Sequence, residues 1–455
     1  MSTKGTRRRG GWPLRIAAAL LLAATAARAG VLTVNANGGG DFTEIQPAVN
    51  AAQNGDTILV AGSSGYWPFV IDGKGLQIVV DLGGHADVEF EAGPGITIRN
   101  LPPGAPVLLR GLRSAPAAFP LGDPRGEGLL VADCAAEVRV EDGAFDGADG
   151  FSGFQPHKAG WAGARVTGCA SVAFTRCALE GGAGFSPFAF FSVPESAGAG
   201  APGLDAASSK TWLHDDTLLG GDGGTVGGII GSTFPGGSAG DGATLAGTIA
   251  FASGTSFAGG DGGSGGSAAG GCGAGGSGGH GLHLAAGAPS LVRLDSPAAG
   301  GSGGIGGGGQ SGPPGCAPDG APGQAVLADP GAVALVEAGA ARHLVLSAVT
   351  REQGSVTLTV QGAAGDAAFL LVSFAPGSKW IPNLKGVLLP AATPLLTFGL
   401  GPLPAPGVLS LGVAIPELGA GVDAIWIHAQ AALHGAVDGW VLSSPSACLL
   451  LDASL

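Results

Sequence analysis

The fold is decided by an internal repeat, seen in residues 128–150 (GLLVADCAAEVRVEDGAFDGADG) and 163–184 (GARVTGCASVAFTRCALEGGAG). Three further copies start at Gly203, Gly242 and Gly281. Each copy has a glycine, a short alternating strand, a turn, a second alternating strand, one apolar residue and a glycine-rich exit. A repeat of this length indicates a stacked array, because one unit cannot bury its own apolar face. The lone apolar residues are spaced 34, 39, 39 and 41 residues apart: Phe145, Leu179, Leu218, Phe257 and Ala298.

Every copy consists of strands and contains no helical segment. Two short strands per copy fit one coil of a parallel β-helix, with the variable insert leaving the coil at the same corner each time. Propeller blades would need about four strands in 40–50 residues. We therefore predict a parallel β-helix, with less complete coils starting at Gly95 and Gly323.

The sequence before the repeats begins with one short helix and then continues in strands. Residues 40–61 (GDFTEIQPAVNAAQNGDTILVA) place Phe42, Ile45 and Val49 at helical spacing, and residues 69–79 (FVIDGKGLQIV) are strand-like. This region resembles the start of the pectin-lyase-like right-handed β-helix superfamily, which includes pectinesterases and many bacterial exported β-helix proteins. The resemblance implies a right-handed coil whose open end is covered by an N-terminal helix that protects the first strand edges.

Glycine is very common, with 89 of 455 residues, and 31 residues are proline. Average glycine usage is about 7%. No G-X-Y period is visible, which excludes a collagen triple helix. Because 45% of the residues are hydrophobic, the chain can bury a core, and the glycines should lie in loops beside the patterned coils. From Gly220 to Gly323, 40 of 104 residues are glycine, and the sequence leaves open whether these loops are ordered.

The N-terminus predicts export. A basic stretch (residues 4–15) precedes an apolar run (residues 16–27), and a small-x-small cleavage site ends at Ala29. We expect residues 1–29 to be a signal peptide, because the apolar run is too short to span a membrane. The expected product is secreted, extracellular or on the cell surface, with no membrane span. Without the signal it has 15 basic and 34 acidic residues, a net charge of −19, which argues against nucleic acid as a partner.

The character of the sequence changes near Leu344, where the glycine inserts end. Residues 344–455 contain about six strand-like runs separated by Pro and Gly turns, which is typical of a β-sandwich. We predict an all-β chain with a signal peptide at 1–29, a right-handed parallel β-helix at 30–343 and a small β-sandwich at 344–455. The sandwich is expected to cap the lower end of the coil or to act as an anchoring module.

Three aspartates are candidates for a metal site. Asp149, Asp222 and Asp261 lie four residues after the lone apolar residue of their copies. Stacked strands are about 4.8 Å apart, so carboxylates in neighbouring coils would repel one another unless water or a cation separates them. Calcium prefers carboxylate and carbonyl oxygens. A calcium ladder and ordinary aspartates in turns are both compatible with this pattern.

Six cysteines in an exported chain are compatible with disulfides. Cys272 and Cys316 lie in successive glycine inserts, where a disulfide would constrain two long loops. Cys134 and Cys169 align in adjacent coils. They are either a disulfide or a pair of buried free thiols, since stacked positions often miss disulfide geometry.

The catalytic motifs of the superfamily are incomplete in this chain. Residues 324–326 (QAV) match a pectinesterase motif without its following acidic pair. Asp215, Asp216 and residues 279–281 (GHG) lack the flanking motifs of polygalacturonases. We assign no catalytic residue and favour a non-catalytic protein for adhesion, display or glycan contact. Its expected partner is an extracellular polysaccharide or a cell-surface component, and a polysaccharide lyase or hydrolase is the alternative.

Overall fold

The computed structural model describes residues 30–81, 84–117, 125–151, 158–187, 196–226, 234–268, 271–307 and 316–455. The predicted signal peptide lies outside these ranges. Within them, no helix has both the length and the apolar character that crossing a membrane would require.

Three long parallel sheets form a β-helix, with ten strands in sheet 1 and eight each in sheets 2 and 3. Sheet 1 consists of Val31–Val34, Thr57–Val60, Gln77–Val80, Val107–Arg110, Glu137–Glu141, Ser171–Thr175, Lys210–His214, Ile249–Ser253, Ser290–Leu294 and Val333–Glu337. Sheet 2 consists of Phe69–Asp72, Ile96–Arg99, Leu129–Ala132, Ala164–Thr167, Leu204–Ala207, Ala243–Ala246, Leu282–Ala285 and Val326–Ala328. Sheet 3 consists of Ser63–Tyr66, Ala86–Phe90, Leu112–Pro116, Ala144–Asp146, Ala178–Glu180, Thr217–Leu219, Ser256–Ala258 and Ala298–Ala299.

The strand register confirms the repeat. Phe145 pairs with Leu179, Leu218 pairs with Leu179 and Phe257, and Phe257 pairs with Ala298. The first four of these side chains are buried in one continuous apolar cluster that fills the lumen. Because alternate residues of a strand face opposite sides, the lumen takes every second residue and the other residues face outward.

A short helix, Ile45–Ala51, covers the first coil. Its spacing places Ile45, Ala48 and Val49 on one face, and all three are buried against the lumen cluster. The helix is tied to the coil by Gln46, whose Oε1 accepts a hydrogen bond from the Val70 N–H at 2.6 Å. The apolar lumen is thus closed at its N-terminal end.

Beyond Glu337 the chain forms a β-sandwich that is antiparallel except where Val349–Arg351 pairs in parallel with Gly439–Leu451. One sheet consists of His343–Leu346, Ser355–Gln361 and Val408–Ala414. The other, in spatial order, consists of Val349–Arg351, Gly439–Leu451, Ala424–Gly435, Ala367–Ser373 and Leu396–Pro402. A hairpin of Pro376–Trp380 and Val387–Pro390 contains the short 3-10 helix Pro382–Leu384, and a smaller hairpin, Ser267–Ala268 with Gly271–Cys272, lies in one glycine insert.

Candidate functional site

The glycine inserts form an ordered bundle beside the coil. In this glycine bundle, segments that leave the coil run antiparallel to segments that return to it, such as residues 259–266 beside residues 234–241. Gly260 N–H donates to Gly240 O (3.0 Å), and Gly263 N–H donates to Gly237 O (2.9 Å). The bonds recur every third residue, which is the period of a polyproline II helix. The described parts of the inserts therefore have a regular backbone arrangement.

Close contact between neighbouring backbones explains why the bundle needs glycine. A Cβ atom on Gly240 would lie 2.0 Å from the Ala201 carbonyl oxygen. On Gly279 it would lie 1.8 Å from the Gly240 oxygen. Neither glycine has a positive φ angle, so the requirement is space. The local pattern is Gly-Gly-X, as in residues 259–264 (GGDGGS), and this three-residue period corrects the observation that no G-X-Y period is visible.

The three aspartates proposed as calcium ligands lie in one column on the outside of the bundle. Asp222 Oδ1 accepts a hydrogen bond from the Asp261 N–H (2.8 Å). Asp261 Oδ1 accepts one from the Ser302 N–H (2.7 Å), and Asp149 Oδ1 accepts one from the Ala183 N–H (2.7 Å). Each carboxylate thus binds a peptide group of the next coil.

No group of three or more His, Cys, Asp or Glu side chains in the described part of the chain is arranged to hold a metal ion. Calcium binding by the aspartate column stays a prediction. A second column, missed in the sequence, repeats the observed arrangement with hydroxyl groups. Thr225 N–H donates to Ser186 Oγ (2.9 Å), and Ser264 N–H donates to Thr225 Oγ1 (3.3 Å). Its signal was a small polar residue three positions after Asp222 and Asp261, and Ser186 holds the same position after Ala183 in the copy before them.

The cysteines divide into one disulfide and four free thiols. Cys272 and Cys316 are disulfide-bonded and link two successive inserts of the bundle. Cys134 and Cys169 are buried and free. They stack at one corner of adjacent coils, where parallel side-chain directions do not suit a disulfide. Each thiol instead donates to a carbonyl two residues before it, at 3.3 Å in both cases.

The β-sandwich packs along the outer face of sheet 1. Trp426 and Leu449 of the sandwich are buried in one apolar cluster with Leu59, Val79 and Leu108 of the early coils. A second cluster joins sheet 1 residues of later coils to the sandwich; its buried members are Ala173, Trp212, Phe251, Leu294, Val387, Leu389 and Val441. Of the two roles expected for the sandwich, the lower cap is therefore wrong, and the anchoring module stays a prediction. The apolar side chains of the sandwich pack against the outer face of sheet 1 over many coils.

Charged residues at the edge of sheet 1 are neutralised in this domain contact. Asp142 accepts hydrogen bonds from Arg110 Nε (2.7 Å) and Arg176 Nε (2.6 Å). Burial raises the pKa of Asp142, but the two guanidinium groups outweigh it and hold the pKa below its usual value. Glu141 Oε2 accepts from the Ala447 N–H (3.0 Å), and Arg110 also donates to the Ala447 carbonyl. Buried charges of this kind require such partners.

The acidic pair Asp215 and Asp216 belongs to the same edge. Asp215 has a positive φ of 60°, and it occupies the turn position after a sheet 1 strand, where Asp tolerates left-handed backbone. Its Oδ1 lies 2.8 Å from His343 Nδ1 of the sandwich, and this hydrogen bond raises the pKa of His343. Asp216 is buried and accepts from the N–H groups of Cys177 (2.7 Å) and His214 (2.8 Å).

His280 lies at a different corner of the coil, between the bundle and sheet 2. Its Nδ1 accepts from the Gln324 N–H (2.9 Å), and its own N–H donates to Asp241 Oδ1 (2.7 Å). Asp241 also contacts His283 Nδ1 at 3.2 Å. The described structure therefore does not bring the acidic pair and the histidine of the glycine motif together as one catalytic group.

Two buried histidines in the domain contact were missed in the sequence. His214 is 1% exposed and has no hydrogen-bond partner on either ring nitrogen, and burial lowers its pKa to about 4. His428 Nδ1 lies 3.3 Å from the Arg139 guanidinium, and burial lowers the pKa of His428 well below its usual value. Both histidines are therefore neutral near pH 7. The alternation of apolar and polar residues along a strand could not predict their burial, because it does not show which outward strand face a second domain will cover.

One further carboxylate pair lies on sheet 3. Asp146 and Glu180 occupy paired positions of adjacent coils. Burial, and then the charge of Glu180, raise the pKa of Asp146 to about 6. A carboxyl group whose pKa is raised beside a second carboxyl group is a candidate for acid–base chemistry.

No protein-family model matches the chain, and no curated protein matches it.

Proposed function

We propose that the chain is an exported, non-catalytic surface or extracellular protein that acts in adhesion, display or glycan contact. The observation that supports this proposal most strongly is that the polar edge of sheet 1 is buried beneath the sandwich. Arg110, Glu141 and His214 are each at most 3% exposed, and the charged groups among them bind partners from the other domain or the coil. A polysaccharide would need such side chains exposed in a groove in order to be bound and cleaved.

The start of the coil supports a relationship to pectin-lyase-like right-handed β-helix proteins, and the N-terminal pattern supports secretion. The net charge of the mature chain favours a neutral or cation-bridged glycan over a free polyanion. The glycine bundle adds a rigid polar ridge to one flank, which is a suitable surface for repeated weak contacts with an extracellular polymer.

A polysaccharide lyase or hydrolase is the alternative function, and the Asp146–Glu180 pair is the observation in its favour. The raised pKa of Asp146 would let this residue donate a proton near pH 6.

A paired assay distinguishes the two functions. The full chain is incubated with acidic and neutral polysaccharides, with and without calcium, and new reducing ends, unsaturated ends and co-sedimentation with insoluble glycan are measured. We expect co-sedimentation without product. Product formation that is lost in Asp146→Asn would establish the alternative, and product lost in Asp215→Ala would show that the domain contact opens to form an active site. Failure of every glycan and cell-surface fraction to bind would remove the proposal.

A further inference from the structure

An apolar cavity of about 60 Å³ lies between the two sheets of the β-sandwich. Leu358 lines it from the three-stranded sheet, and Leu370 and Ala429 line it from the five-stranded sheet. Every lining side chain is aliphatic or aromatic except that of Cys448, whose thiol is buried. The cavity belongs to neither the domain contact nor the glycine bundle.

The cavity reaches the outer edges of both sheets. The strands Leu396–Pro402 and Val408–Ala414 are the outermost strands of their sheets. Phe398 and Val413 project from them to line the cavity, and both are only half-buried. Neither edge strand pairs with a further strand among the described residues. The sheets can therefore admit a slender guest between these two edges.

An empty cavity of this composition is unfavourable. Protein interiors are usually packed as densely as organic crystals, and atoms that face a void lose their dispersion contacts. Water offers little compensation, because an ordered water needs two to four polar partners and an apolar cavity stays dry. A guest that fills the space with methylene groups would restore contacts without burying a polar atom.

We propose that this cavity binds one alkyl chain of an amphiphile. The chain enters tail first between Phe398 and Val413, contacts Ala429 at depth, and leaves its polar end at the mouth. Free fatty acids and membrane lipids share this chemistry. The site is independent of glycan binding, since it lies between the sheets of the sandwich.

A chain-length series tests the proposal on the full chain. Propanoate, butanoate, pentanoate, hexanoate and octanoate are titrated against a bound fluorescent alkyl probe. Each methylene that enters the cavity should tighten binding about fourfold, which follows from roughly 0.8 kcal/mol per buried methylene. The gain should stop once the cavity is full. Equal affinity across the series, or no displacement at all, would overturn the proposal.

Two variants locate the site. Ala429→Leu fills the cavity and should abolish probe binding while keeping or raising the melting temperature. Ala414→Leu is the matched control, because Ala414 is exposed on the edge strand, and it should bind as wild type does. If Ala429→Leu fails to fold, Val413→Phe narrows the mouth and should weaken binding in the same way. Unchanged binding in a folded cavity or mouth variant would contradict the assignment.

Vesicles of a zwitterionic phospholipid separate the two sources of the chain. Binding of free acids without vesicle binding assigns a soluble ligand. Binding of both, lost together in Ala429→Leu, assigns a lipid contact. If Ala429→Leu still binds vesicles and the protein binds no free acid, the vesicles bind to the protein surface. The proposal that the cavity binds an alkyl chain would then be wrong.

Discussion

The lumen of the coil and the glycine bundle belong to the same repeats but are stabilised in opposite ways. The lumen is filled by large side chains, of which Phe174 and Leu213 are fully buried. Between the layers of the bundle there are peptide groups in direct contact, as at Gly240 and Gly260. The stability of the coil therefore depends on large side chains that fill the lumen. The stability of the bundle depends on residues without a side chain, because its backbone segments are in direct contact. This difference predicts unequal responses to substitution and to acid.

The largest effect should come from a deletion in the lumen. Phe174→Ala removes a fully buried ring, and such changes reduce the free energy of unfolding by about 3–5 kcal/mol. Chemical denaturation measures the loss. Phe151→Ala is the control, because Phe151 is 43% exposed, and it should cost far less. Equal losses in the two variants would contradict a side-chain core confined to the lumen.

Acid should act on the coil and its domain contact before the bundle. The pKa of His214 is lowered to about 4 from an ordinary 6.5, so the folded state resists the proton that the unfolded chain accepts. The stability due to neutral His214 is complete above pH 6.5 and is lost as the pH falls towards 4, by about 3 kcal/mol in total. The hydrogen bonds of the bundle interior join peptide groups, which do not titrate in this range.

The variant His214→Phe isolates this histidine. It should reduce the pH dependence of the free energy of unfolding between pH 6.5 and 4, while His85→Phe, at an exposed position, should leave it unchanged. His343 works in the opposite sense, because its pKa is raised and its contribution is lost as the pH rises. Identical pH curves for wild type and His214→Phe would refute the assignment.

The coil could be predicted from the sequence because its signal lies in side chains. The spacing of Phe145, Leu179 and Leu218 reports the stacking directly, and these residues pair as expected. The helix Ile45–Ala51 is visible for the same reason, since its apolar residues repeat at helical spacing. Both predictions depend on patterns within a few tens of residues.

The order of the bundle and the position of the sandwich could not be predicted in the same way. A glycine has no side chain whose burial would reveal its neighbours, and the Gly-Gly-X period was hidden by the length of the tract. The contact between Arg139 and His428 joins residues 289 positions apart. No sequence periodicity specifies such a pair, because the residue pattern of the face that the sandwich covers does not differ from that of an outward strand face exposed to solvent.

A glycine substitution tests the bundle at a smaller scale. In Gly279→Ala the new Cβ would lie 1.8 Å from the Gly240 oxygen, and overpacking of this kind costs about 1–3 kcal/mol. Gly412→Ala is a matched control, because Gly412 has open space and no positive φ. It should be neutral or slightly stabilising. Thermal unfolding compares the two, and a neutral Gly279→Ala would mean that the segments are more loosely packed.

The smallest effect concerns the outside of the bundle and separates the two interpretations of the aspartate column. Asp222→Ala removes the acceptor for the Asp261 N–H and should cost about 1 kcal/mol, the usual net value of one hydrogen bond. Asp222→Asn keeps an acceptor oxygen and removes the charge, so it should retain most of that stability. Melting temperatures with calcium and with chelator complete the test. If calcium stabilises the wild type and this effect is lost in Asp222→Asn, the column binds calcium; if calcium has no effect on either, its carboxylates serve the backbone.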